Sequence, residues 1–186
     1  MIGLYMIMDF FMQILPFLVL MFSIGNCYAD FSLNSSIQRE ADSNTGRNYL
    51  KGSIPKDVIE PYLTHLKTIL SPEDYKKYTQ NQQKRDSGMY HVTIIRPDEY
   101  SVLNKDLSNF IGYPISIRCF GIGNVREADN EAYFLVCQSQ NAANLRQHFN
   151  LPTQDFHVTL GFKEKDIFDQ PKDKSSLISP YSILEK

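Results

Sequence analysis

Tyr90-His91-Val92-Thr93-Ile94 and Phe156-His157-Val158-Thr159-Leu160 are two copies of one pattern: aromatic, His, Val, Thr, apolar. Each run is rich in β-branched residues and reads as a strand. In a strand, residues two apart share a face, so His91 lies with Thr93 and His157 with Thr159, while Val92, Ile94, Val158 and Leu160 turn toward a core. The same alternation sends Phe162 to the core and carries Gly161 and Lys163 onto the face of Thr159; Arg96 falls on the face away from His91. From the four histidines and seven threonines of the chain, chance would produce two His-x-Thr triplets in about one sequence in a hundred. The expected arrangement is two polar strand faces opposed across a groove. Two imidazoles, two hydroxyls and a cation then meet in one concave site, the usual shape of a small-ligand pocket.

Around these strands the sequence alternates element types. Pro55 to Leu70 carries apolar residues at helical spacing, and Ser71-Pro72-Glu73-Asp74 supplies an N-cap, a first-turn proline and first-turn acids for a second, polar-surfaced helix to about Gln83. Further strands are expected at Ile115–Val125 and Ala132–Gln138, with a hairpin turn in Arg126–Glu131, and shorter helices at Pro97–Leu107 and Asn141–Phe149. Gly121-Ile122-Gly123 lacks the third glycine and helix start of a dinucleotide loop and reads as a bulge or a close approach. The fold class is α+β. Tyr90 and Phe156 fall on the core side, and His65 and His148 lie on helices outside the repeated pattern, so all four are read as structural or surface positions.

The first stretch is of a different kind. Phe10 to Ile24 is nearly uninterrupted apolar sequence, followed by Cys27 and Ala29 at the −3 and −1 positions of a cleavage site before Asp30. This reads as a signal peptide over 1–29 and an exported protein, periplasmic or secreted. No basic residue precedes the apolar run, so an uncleaved membrane anchor stays open as the alternative. Residues 30–52, rich in Ser, Asn and Asp, read as a flexible linker or arm, and 53–186 as one domain.

Without Asp9 the chain carries 20 acidic against 19 basic residues. Proteins that follow long nucleic-acid backbones are usually strongly basic, because affinity comes largely from neutralised phosphates. The expected partner is therefore a small nucleotide or an RNA end, not a long tract, with a membrane involved only if the signal segment stays. After cleavage two cysteines remain, Cys119 and Cys137, too few for a paired-cysteine zinc site. A hairpin turn centred near Ala128 places them face to face. A turn centred between Asp129 and Asn130 sets Cys119 opposite Gln140 instead.

Hydrolysis of a phosphodiester without metal needs one group to take a proton from the nucleophile and another to give one to the departing oxygen. Histidine, with an unperturbed pKa near 6.5, suits both. Threonine hydroxyls and a lysine ammonium are suited to hold the non-bridging phosphate oxygens. The candidate catalytic residues are therefore His91 and His157, and the candidate phosphate-binding residues Thr93, Thr159 and Lys163. No metal or other cofactor is expected.

At these residues the chain resembles the 2H phosphoesterase superfamily, named for paired His-x-Thr/Ser motifs. The flanking residues, including Gly121-Ile122-Gly123 with Ala132–Val136 and Asp155–Ile167, resemble its Swiss army knife RNA repair-like branch over about 89–178. The resemblance implies a bilobal, pseudo-twofold fold of antiparallel sheets with flanking helices and a central cleft. It also implies phosphodiesterase chemistry on 2′,3′-cyclic phosphates or 2′-5′ linkages of nucleotides or RNA ends, typically without metal. Two alternatives stay open: a binding protein that holds a nucleotide or phosphate ester in the same cleft without turnover, and a membrane-anchored interaction protein. Which histidine is the base is also open.

Overall fold

The computed structural model describes residues 31–43, 45–103 and 105–178; the signal segment lies outside them. Six strands are described: β1 (Phe31–Ala41), β2 (Asn48–Ile54), β3 (Tyr90–Ile95), β4 (Pro114–Glu127), β5 (Asn130–Gln138) and β6 (Phe156–Phe162). The helices are α1 (Lys56–Ile69), α2 (Pro72–Asp86), α3 (Pro97–Leu103) and α4 (Gln140–His148). All strand pairs are antiparallel, in the order β3-β2-β1-β4-β5-β6. The α+β expectation holds.

The segment expected to be a linker is instead the centre of the sheet. Phe31–Ser36 of β1 pairs with β4, and Ile37–Ala41 pairs with β2, so one strand joins the two halves. Its polar Ser and Asn residues conceal it in the sequence. What holds it is backbone pairing on both sides, together with Phe31, Leu33 and Ile37 packing on the core. The two edge strands, β3 and β6, come close together, which brings the repeated motifs side by side.

Helices α1, α2 and α4 contribute to the main core on one face of the sheet, with Ile59, Leu63 and Leu66 of α1 joining Ile115, Ile117, Leu135, Val158 and Leu160. The other face carries a smaller cluster of Val125, Ala132, Phe134, Val136, Phe162 and Ile167, with Leu177 against it. Gly123 is a close approach rather than a ligand loop: an added Cβ would lie 2.6 Å from the Phe134 ring and 2.8 Å from Ser176 Oγ.

Two bulges occupy equivalent places in the two motifs. On β3, Thr93 faces Lys51 and Ile95 faces Leu50, leaving Ile94 as the extra residue. On β6, Thr159 faces Phe134 and Gly161 faces Tyr133, leaving Leu160 extra. An extra residue reverses the alternation beyond it. Phe162 therefore joins the cluster on the motif's own face, and Gly161 turns to α2, where an added Cβ would touch the Tyr78 backbone at 3.0 Å. Lys163 and Arg96, assigned by unbroken alternation, both change sides.

A third bulge aligns the cysteines. The β4–β5 turn lies at Ala128-Asp129, with Glu127 opposite Asn130, a register that would leave Cys119 one residue out of step with Cys137. The shift between Cys119 and Gly121 restores the pairing, and the two form a disulfide. Closing a loop of this separation, 18 residues, stabilises by about 3 kcal/mol through the unfolded chain. Denaturant unfolding with and without reductant should differ by that amount. Identical midpoints would show that the bridge adds nothing.

Candidate active site

His91 and Thr93 on β3 and His157 and Thr159 on β6 line one cavity of about 680 Å³. Lys163 does not line it: its amide donates to the Glu131 carbonyl, and its own carbonyl accepts from Asn81 at 2.8 Å. The cations of the cleft come from elsewhere. Helix α2 runs one turn past Gln83 and stops at Ser87, whose φ of 52° is left-handed. That extra turn delivers Arg85 and Asp86 to the cavity. Arg85 is held by both Asp86 oxygens at 2.8 Å, stacks over Phe162 at 5.1 Å, and donates to Asp166 at 2.6 Å. The bulge at Leu160 is what puts Phe162 under it.

Asp166 is the hub. Besides Arg85 it accepts from Lys172 Nζ at 2.7 Å, from the Thr159 hydroxyl at 3.0 Å and from the Ile167 amide at 2.8 Å. Thr159 was expected to donate to phosphate, but its one hydroxyl proton is committed to Asp166, so here it holds the hub in place. Lys172 also stands 3.2 Å from Nε2 of His157, whose Nδ1 lies 3.1 Å from the Asp155 carbonyl. A carbonyl only accepts, so Nδ1 carries the hydrogen and Nε2 offers its lone pair. His91 rests against the Tyr49 ring at 5.7 Å. Arg96, returned to the cleft side, lines the mouth and pairs with Glu99 at 3.0 Å.

Burial pushes the His91 imidazole down to about 4; Asp86 and Asp166 oppose this, while Lys51 and Arg85 add to it. Burial and then Lys172 push His157 down to about 3. Burial alone would raise the Asp166 carboxyl, but Lys172 and Arg85 outweigh it and hold Asp166 well below the usual range. These surroundings keep both imidazoles neutral at pH 7. In the unfolded chain they take up protons below about 6.5, which the folded sites refuse until about 4 and 3. The contribution of this pair to stability is therefore complete above pH 6.5 and is lost on acidification. Urea midpoints should fall between pH 7 and 4.5, less steeply for His157→Gln; parallel slopes would contradict the assigned burial.

Sequence reading missed Arg85, Asp166, Lys172 and Tyr49. Asp166 and Lys172 sit in irregular chain with no periodicity to flag them, Tyr49 lies in the supposed linker, and Arg85 falls beyond the expected helix end at Gln83. Among the described residues no group of three or more His, Cys, Asp or Glu is arranged to hold a metal ion.

A family model described as Swiss Army Knife, 2H phosphoesterase domain, matches residues 57–168. That stretch contains both motifs, Arg85 and Asp166, and ends before Lys172. Comparison with curated proteins and with solved structures returns no match. With well over half the chain matched and both His-x-Thr motifs lining one cleft, the chain belongs to the Swiss Army Knife family of 2H phosphoesterases.

Proposed function

We propose that this phosphoesterase opens 2′,3′-cyclic phosphates, or cleaves 2′-5′ linkages, on nucleotides or RNA ends, with His91 and His157 dividing base and acid duties. The observation that carries the reading is the pair of imidazoles lining one cavity together with the buried Lys172 and the half-buried Arg85. Positive groups fixed in advance at such a site favour the charge that gathers on phosphate oxygens in the transition state. Thr93 lines the same wall and offers a hydroxyl.

Two features favour a ribonucleotide. Phe168, 75% exposed, lines the cleft and presents an aromatic face to a base. Gln154 donates to the Thr93 carbonyl at 2.8 Å, while its buried Oε1 has no hydrogen-bond partner among the described residues, so a ribose hydroxyl could donate to it. The proposal includes export: cleavage before Asp30 would leave β1, which starts at Phe31, whole.

The test is a panel of 2′,3′-cyclic mononucleotides, 2′-5′ dinucleotides and cyclic-ended oligoribonucleotides, with products placed by phosphorus NMR and a parallel series in chelator. Turnover of at least one class, unaffected by chelator, is expected. Binding without product would make the chain a nucleotide-holding protein. Activity lost to chelator and restored by a divalent ion would overturn the metal-free mechanism.

A further inference from the structure

The two motifs are near-duplicates in sequence, yet their surroundings differ at one atom. Nε2 of His157 faces the ammonium of Lys172, which is 3% exposed, held by Asp166 at 2.7 Å and flanked by the Phe134 ring at 5.2 Å. The main-chain amide of Lys172 is itself tied to Asp155 Oδ2 at 3.2 Å, next to the carbonyl that fixes Nδ1 of the same imidazole. Asp155, His157 and Lys172 thus form one closed circuit, with Asp166 branching from Lys172. Both imidazoles have an aromatic ring at 5.7 Å, Tyr49 for His91 and Phe134 for His157, but the charged surroundings of His91 are Lys51, Arg85, Asp86 and Asp166.

We propose that Lys172 is the positioning residue that breaks the symmetry of the two motifs, keeping His157 as the proton acceptor and leaving His91 as the proton donor. Protonating Nε2 while Lys172 is charged would set two cations 3.2 Å apart in a buried site. His157 therefore waits with its lone pair available. This assignment rests on the phosphodiesterase reading above.

In the hydrolytic step, an anionic phosphate draws a Lys172 N–H away from Nε2. The attacking water forms a bond to phosphorus and gives its proton to the freed Nε2. The bond from phosphorus to the leaving ribose oxygen breaks, and that oxygen takes the proton carried by His91. His91 enters the step protonated because the bound phosphodiester adds a negative charge to its surroundings. One water is consumed, and the proton gained by His157 returns to His91 through solvent.

The groups that face His157 are Lys172 and Asp155 before and after it in the circuit, Asp166 after β6, and Arg85 at the end of α2. Among the charges, Lys172 acts most strongly to keep it neutral, opposed by Asp166.

The experiment follows the Cε1–H signals of both histidines by carbon–proton NMR from pH 2.5 to 8 in wild type, Lys172→Met and Lys172→Arg, with kcat/KM profiles alongside. In Lys172→Met the His157 midpoint should rise by more than one pH unit, with a smaller change at His91, and Lys172→Arg should keep it near the wild-type value. The acidic limb of kcat/KM should move with His157. A His157 midpoint unmoved in folded Lys172→Met, an equal rise in Lys172→Arg, or an acidic limb that follows His91 would overturn the proposal. Should Lys172→Met fail to fold, Lys172→Met/Asp166→Asn removes both charges. The same upward shift is then expected, reduced because the carboxylate that favours protonation is also gone. The titration needs no turnover: wild type inactive on every cyclic phosphate would overturn the substrate reading and the roles with it, while a moved midpoint would show that the Lys172 contact had not failed.

Discussion

Alanine at either His91 or His157 is expected to lower kcat by about 10³-fold, within the range that a single acid or base supplies. The double variant should be scarcely worse than either single one, because removing one proton-transfer partner already disables the step that needs both. Thr93→Ala is expected to cost about 10²-fold, as loss of one oxyanion donor does. Thr159→Ala should act differently. Its hydroxyl serves Asp166, so the loss should fall on stability as well as on rate. Single-turnover kinetics on a cyclic mononucleotide, paired with urea unfolding of each variant, separates these outcomes. Full activity in either histidine variant would remove the acid–base reading.

Asp166→Ala is expected to destabilise the domain by about 3–5 kcal/mol, the range seen when one member of a buried ion pair is removed. The Asp166 and Lys172 side chains are 2% and 3% exposed, so the lysine left behind can neither hydrate nor find another carboxylate at the same distance. Arg85 keeps Asp86 and suffers less. The double variant Asp166→Leu/Lys172→Met should recover most of the loss, since it leaves no buried lysine without its carboxylate and only Arg85, the Thr159 hydroxyl and the Ile167 amide lose a partner. A double variant as unstable as Asp166→Ala would mean that the carboxylate acts mainly by fixing the Ile167 amide and Thr159. Chemical denaturation of the wild type and both variants at pH 7 separates these outcomes.

The Cys119–Cys137 pairing shows how far register arithmetic reaches. A turn centred on Ala128 predicts the facing pair, and the pair forms, but the turn lies half a residue later and a bulge supplies the correction. Lys163 and Arg96 show the opposite case. Alternation is a local rule, and one unpaired residue beyond each Thr reverses it; nothing in the side chains of Ile94 or Leu160 announces that they will be left unpaired.

The sequence by itself determined the repeated His-x-Thr pattern, the strand character of its copies and therefore the family. For β6 the strand read from the second motif begins at Phe156 and is observed at Phe156–Phe162, because β-branched and aromatic side chains in alternation encode a half-buried strand locally. The tertiary structure alone decided that Phe31–Ala41 and Asn48–Ile54 form β1 and β2, since polar strands are held by backbone pairing with distant partners. It alone decided which cations enter the cleft. Lys172 reaches His157 from an irregular segment and Arg85 from the end of a helix, contacts fixed by where the chain is folded back rather than by any spacing along it. The two histidines are alike as motifs and differ chiefly through those long-range neighbours, because the field at an imidazole in the cleft depends on charges that packing, not sequence adjacency, brings near.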